Sequence, residues 1–377
     1  MAGRTGYPRN QGVNRYLNDD SSDVVSAALG ILDPADPVYQ GTGTSTNNAG
    51  LGSITIGAAA TTLGGDKSIA IGRAAASGDV GTIALGADAV ADTTACIAIG
   101  SGAVAEAANA ISIGIGSANE AENGIAIGTS SETVGEQSVS IGNTANCQSG
   151  GFSVAIGGGA TTNNGKCVAI GAGASTTGDD TVAIGADAIA SFGETLAIGS
   201  GAAATKAGCC AIGANATASQ FFGTAVGNNA TTISGLNGTA IGYNVSAVDA
   251  VSIGSNITGS SNSVLIGSGS GNGTSRTQLG VQTQGNGNTT CAIGAQCTAT
   301  GTGALAVGYN SDAITGGCIA IGNGQTADTW VLNTSSPLAI ATPATVGAPT
   351  GAAAATTARL RIRLGNVNYT IALFPDE

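Results

Sequence analysis

The dominant pattern along the chain is a five-residue unit: a small residue, an aliphatic one, a small one, a second aliphatic one and glycine. It reads Ser53-Ile54-Thr55-Ile56-Gly57, Ser68-Ile69-Ala70-Ile71-Gly72, Thr82-Ile83-Ala84-Leu85-Gly86 and Cys96-Ile97-Ala98-Ile99-Gly100, and returns as late as Cys318-Ile319-Ala320-Ile321-Gly322. The closing glycines fall at 57, 72, 86, 100, 114, 128, 142, 157, 171, 185, 199, 213, 227 and 242, then at 254, 267, 280, 294, 308 and 322. Nearly all steps are 14 or 15 residues, with shorter ones around Gly254 to Gly280. Self-similarity at a fixed short period is the signature of a stacked repeat.

Within each unit the alternation has period two, which predicts a short β-strand. The residues one and three before glycine, such as Ile54 and Ile56, Ile69 and Ile71, or Ile97 and Ile99, share one face and are expected to stack into a continuous apolar column that forms the core. The intervening residue, usually alanine (Ala70, Ala84, Ala98, Ala126), points to the opposite face. Gly57, Gly72, Gly86, Gly100, Gly114 and Gly128 then end their strands at a corner that needs positive φ or close backbone approach. A second, weaker segment follows, marked by Ala75, Ala89, Ala103, Ala160, Ala174, Ala188 and Ala202, and a polar turn comes next. Each coil thus holds two short strands and two turns. About twenty coils stacked at ~4.8 Å give a rod of roughly 95 Å. A row of Ile facing a row of Ala buries little surface, so one face is expected to pack against further copies of the chain, and the ends need caps.

Composition supports repetitive β-structure and narrows the function. Gly is 63 of 377 residues, aromatic residues are 3% and charged residues 9%, yet 42% of the chain is apolar. That is too apolar and too weakly charged for a disordered chain. The net charge is −12, and between Ala74 and Ala358 the only basic residues are Lys166, Lys206 and Arg276, which excludes a nucleic-acid surface. The chain has no His, the commonest general base and metal ligand, so neither an enzyme nor a cofactor or metal site is expected. Residues 1–18 lack the apolar stretch of a signal peptide, and no segment approaches the ~20 apolar residues of a membrane helix, so no membrane insertion is expected.

The ends differ from the repeat. Residues 1–50 read as an N-terminal anchor or cap, with Asp20-Ser21-Ser22-Asp23 capping a short helix over Val24–Leu29 that Pro34 and Pro37 follow. The repeat occupies 51–330, and 331–357 is an Ala/Thr/Pro linker. Residues 358–377 predict a β-hairpin: Leu360, Ile362 and Leu364 alternate with Arg359, Arg361 and Arg363, Gly365-Asn366 can turn, and Asn368–Phe374 alternates again. Leu360, Ile362, Leu364, Tyr369, Ile371 and Phe374 are the candidate trimerising or capping residues, and a hairpin folded back on the roll is the alternative.

Other chemistry is weighed and set aside. Cys96, Cys167, Cys209 and Cys318 take the small-residue position four before glycine, Cys210 and Cys291 replace the aliphatic residue, and Cys147 and Cys297 lie near the second segment. No two consecutive coils carry Cys in one column and no Cys-x-x-Cys occurs, so free thiols in a reducing compartment are expected. Gly-x-Gly runs such as 267–273 lack the strand–loop–helix setting and the Lys of a nucleotide site. Glu120, Glu122, Asp179 and Asp180 are expected as solvated turn residues, and the Asn-x-Ser/Thr sites at Asn215, Asn229, Asn244, Asn256 and Asn288 follow from composition.

The Ser-Ile/Val-Ala-Ile-Gly unit at 14-residue spacing, with good copies at Phe152–Gly157 and Thr181–Gly185, resembles the head repeat of YadA-like trimeric autotransporter adhesins over about Leu51 to Gly324. The resemblance implies a left-handed parallel β-roll in each chain and a threefold homotrimer. Those adhesins are expected to carry a secretion signal, a coiled-coil stalk and a C-terminal membrane anchor, none of which is recognised here. The repeat also resembles modules in fibres and spikes of bacteriophages and large DNA viruses. The reading preferred from sequence is a structural virion fibre or spike, assembled in the host cytoplasm, that docks on capsid or tail proteins through one end and reaches a host surface protein or glycan. A bacterial surface adhesin binding host protein or glycan is the alternative.

Overall fold

The computed structural model describes residues 53–324 except for 64–65, 234 and 271–272, together with the strands Val38–Gln40, Thr46–Asn48, Thr326–Ala327, Val331–Leu332, Ala358–Leu364 and Val367–Leu373. The expected helix near 24–29, most of the expected linker and Phe374 lie outside the described residues.

Strand and turn alternate at the period of the repeat to give an all-β parallel solenoid of about nineteen turns. One ladder is formed by the aliphatic strands: Ile83–Leu85 pairs with Ile69–Ile71 on one side and Ile97–Ile99 on the other, each residue over its equivalent. The second ladder is formed by the short segments, as where Val90–Ala91 pairs with Val104–Ala105. All pairings in the solenoid are parallel, and their hydrogen bonds run between coils, as from the Gly100 N–H to the Leu85 carbonyl at 2.8 Å.

The two strands of a coil lie so close that only small side chains fit between them. Four positions per coil point inward, four and two before the corner glycine and three and five after it. In the first coil these are Ser53, Thr55, Ala60 and Thr62, and around Gly100 they are Cys96, Ala98, Ala103 and Ala105, all buried. The core is therefore the alanine side of the strand. The Ile, Val and Leu residues expected to form the core point outward instead, each half-buried between its equivalents above and below. Their stacking into a column agrees with the expectation, but their side of the wall does not. Cys210 and Cys291 replace outward residues for the same reason. Some interior hydroxyls meet one another or nearby carbonyls, as where Thr55 Oγ1 lies 2.9 Å from Thr62 Oγ1 and the Thr133 hydroxyl donates to the Ile125 carbonyl at 2.9 Å, while those of Thr162, Thr176, Thr232 and Ser252 have no partner.

Glycine ends the strand for two reasons. Gly57, Gly72, Gly86, Gly100, Gly114 and Gly128 have φ between +137° and +143°, and a Cβ on any of them would sit 2.2–2.3 Å from the carbonyl oxygen of the next corner glycine. Corner glycines therefore stack backbone on backbone, and a substitution there is both strained and obstructed. The other turns also place a residue in the left-handed region, often Asn, Asp or Gly, as at Asp88, Asn109 and Gly102, but also other types such as Ala95 and Gln137.

Coil length varies mostly at the second turn. That turn takes residues 106–109 in a 14-residue coil, 233–237 in the 15-residue coil closed by Gly242, and only 248–249 in the 12-residue coil closed by Gly254. The interior changes with it: Val245, Ile257, Leu265 and Arg276 are buried where other coils have Ala or Ser. Arg276 lies opposite the side-chain-free Gly285, donating to the Gly285 carbonyl at 2.9 Å and to Ser260 Oγ at 3.0 Å. Burial lowers its pKa from the ordinary arginine value.

The segment from Ser336 to Glu377 is a separate unit containing one antiparallel pair. Leu360 pairs with Ile371, Ile362 with Tyr369 and Leu364 with Val367, which is the expected hairpin bracketing 365–366.

Two substitutions test the thin interior. Gly128→Ala is expected to destabilise the solenoid by at least about 2 kcal/mol, and Ala126→Leu, which overfills an inward column, by about 1–3 kcal/mol or more. Denaturant unfolding followed by circular dichroism measures both.

Candidate self-association face

The outward side of the aliphatic ladder is the most extended feature on the solenoid surface. Twenty coils supply forty outward positions, of which thirty-five are Ile, Val or Leu and none is charged. Cys210, Thr224, Thr239, Thr277 and Cys291 are the exceptions. Stacking along the column covers part of each side chain, yet Leu85 remains 40% exposed, Ile266 41% and Ile293 37%. A continuous apolar stripe of this length exceeds the patches ordinarily left to solvent. Ile54, Ile56, Ile69, Ile71, Ile97 and Ile99 all belong to it, and the six glycines named above lie along its border.

The opposite wall has another character. Outward positions of the second ladder include Thr61, Glu132, Asn146, Thr161, Ser175, Thr217 and Asp312. They pair along the stack, as where Asn146 donates to the Glu132 carboxylate at 2.8 Å. Among the described residues of the solenoid, surface charge is confined to this wall and the turns, and the interior holds Arg276. Arg73 pairs with Asp88 at 2.5 Å and Lys166 with Asp180 at 3.9 Å, both exposed and of little energetic weight. The Thr94 hydroxyl and the Val80 N–H lower the pKa of the exposed Asp79. The Asp179 carboxylate accepts from the Gly165 N–H at 3.2 Å, so it closes a turn. Among the described residues no three of Cys, Asp and Glu gather as metal ligands.

All eight cysteines are unbridged. Cys96, Cys147, Cys167, Cys209, Cys297 and Cys318 are buried in inward columns, while Cys210 and Cys291 are half-buried on the aliphatic face. Burial raises the thiol pKa of Cys96, Cys209, Cys210, Cys291 and Cys297.

Sequence reasoning located this face but assigned it to the interior. The corrective signal is side-chain volume: inward positions are almost all Ala, Ser, Thr or Cys in coil after coil. No equivalent reading is made for Leu360, Ile362, Leu364, Tyr369 and Ile371, whose strands are described by backbone pairing alone.

A parallel solenoid with stacked corner glycines and one aliphatic wall defines the chain as a repeat-built β-solenoid protein. The segments 64–89, 97–117, 120–145, 167–188, 286–311 and 299–324 match the family described as YadA head domain repeat (2 copies), so the chain carries YadA-like head repeats. A search of the curated proteins returns no match.

Thiol titration tests the two-sided wall. With an aromatic disulfide reagent at pH 8, the native chain is expected to release at most two equivalents, from Cys210 and Cys291, and the other six only in denaturant. The sign follows from access: the six inward thiols are closed off by the folded walls until unfolding, whereas Cys210 and Cys291 are half-buried on the outer face and react slowly, burial having raised their pKa.

Proposed function

We propose that this chain is the structural subunit of a homotrimeric virion fibre or spike, a non-enzymatic rod that carries an attachment surface away from the particle. The observation that carries the reading is the uncharged aliphatic face along the solenoid. Leaving the outer edges of thirty-five Ile, Val and Leu residues in water is unfavourable at about 25 cal/mol per Å², and packing the same wall of further copies against it removes that cost. The threefold number follows from the likeness to YadA-like heads. A virion setting is supported by the cysteines: eight unbridged thiols, six of them buried, suit folding in a reducing cytoplasm better than passage through an oxidising compartment. Capsid or tail proteins would hold one end, and a host surface protein or glycan would meet the fibre. The family match itself favours a second reading, a bacterial surface adhesin.

Light scattering of the purified chain is expected to return three times the chain mass, and a monomer would sink the proposal. The pair Ile99→Asp and Ile127→Asp places two carboxylates on the aliphatic face without touching the inward columns. It is expected to shift the mass to that of one chain while the β-sheet circular dichroism is retained. Detection of the chain in purified virions, as against bacterial outer surfaces, separates the two settings.

A further inference from the structure

The stretch 189–285 lies outside the segments that match the repeat family, and coil length and surface chemistry both change within it. The five-residue turn of the 15-residue coil overhangs the two-residue turn of the 12-residue coil below. The step leaves a notch of about 480 Å³. Leu236, Asn237, Asp249 and Asn262 line it, with Val251 and Val264 at the edge toward the aliphatic face. Asp249 Oδ1 accepts from the Leu236 N–H, which holds the lip in place, and the carboxylate lies against Gly235, whose missing side chain leaves it room at the notch.

The same edge carries a cluster of exposed aromatic rings. Of five Phe in the chain, three stand here, Phe192, Phe221 and Phe222, exposed by 48%, 44% and 63%. Lys206 joins two of them, its ammonium 5.4 Å from the Phe192 ring and 5.7 Å from the Phe221 ring. Phe221 bridges to Leu236 at the lip, so ridge and notch are continuous. Among the described residues between 74 and 324, the half-buried Lys206 is the one base toward the surface without a carboxylate partner, since Lys166 pairs with Asp180 and Arg276 is buried.

We propose that this ridge and notch form an oligosaccharide-binding site, which deepens the attachment reading above and rests on it. A pyranose presents a C–H face and a rim of hydroxyls. The Phe rings offer flat faces for the first. The Asp249 carboxylate and the Asn237 and Asn262 amides offer planar acceptors and donors for the second. Size favours a sugar over a folded partner. The notch lies in the range of small-molecule sites, whereas a stable protein interface needs about 800 Å² per side. Other coils expose single apolar turn residues such as Ile115 and Phe152, but the three neighbouring Phe and the step in coil length occur together only in this stretch of the described residues.

The test applies the labelled full-length chain to a glycan array with neutral and carboxylate-bearing oligosaccharides, followed by calorimetry with the strongest binder. Binding on either arm is expected, weakened at least tenfold by Phe221→Ala combined with Asp249→Asn, a pair that keeps an acceptor for the Leu236 N–H. Phe152→Ala, on a distant coil, is expected to leave affinity within twofold of the parent. The proposal is overturned if no glycan binds, if the double variant binds as the parent does, or if that variant lowers the solution mass, which would make the ridge a subunit contact. An unchanged threefold mass with no glycan binding removes this site and leaves the fibre reading intact.

Discussion

The closeness of the two strand ladders within each coil constrains everything else in this molecule. Facing backbones leave room only for Ala, Ser, Thr and Cys, so the inward columns Ser53, Thr55, Ala60 and Thr62 or Cys96, Ala98, Ala103 and Ala105 supply an interior with little apolar volume. An interior of that kind cannot stabilise a long chain by burial of large side chains. Hydrogen bonds between coils, repeated in register through every turn, and stacking along the columns must contribute most of what a conventional core would. Stacking of coil on coil adds a second constraint, glycine at each corner, because the carbonyl of the following corner lies against its Cα.

A thin interior also displaces the large aliphatic residues to the outside. Ile, Val and Leu suit the pleated surface of a parallel ladder, and stacking half-covers them, but their outer edges remain in water. The wall they form has no charge to keep copies apart, while the second wall mixes Glu132, Asp312, Asn146 and several Thr with Ala and Val. This asymmetry is a form of instruction: one wall is suited to further copies of the chain, the other to solvent. Acidic turns add repulsion between the polar walls of neighbouring rods, which favours one packing over indiscriminate association.

Departures from the repeat are local and concerted. Where the second turn shortens after Gly242, larger residues enter the interior, with Ile257, Leu265 and Arg276 taking places that small residues hold elsewhere. Arg276 has no carboxylate beside it and is held by the Gly285 carbonyl and Ser260, a neutral cage that needs the missing side chain of Gly285. The step in coil length that exposes the Phe221–Leu236 ridge thus belongs to one altered stretch of stack, inside and out.

The sequence by itself determined the period, the strand positions, the corner glycines and the pairing of the C-terminal hairpin, because each depends on local alternation and turn chemistry that recur often enough to be unmistakable. It also exposed the uncharged aliphatic column. Which side of the wall that column occupies was decided only by the tertiary structure. Hydrophobicity places Ile97 and Ile99 inside, but the distance between ladders admits Ala98 and excludes them. The notch at Asp249 was equally illegible, since the unequal steps at Gly242 and Gly254 become an overhang only when one coil is stacked on the next. Lys206, read from sequence as one of three scattered bases, acquires its place between Phe192 and Phe221 by the same stacking. Local pattern sets what each coil is, and the separation and succession of coils set what each residue faces.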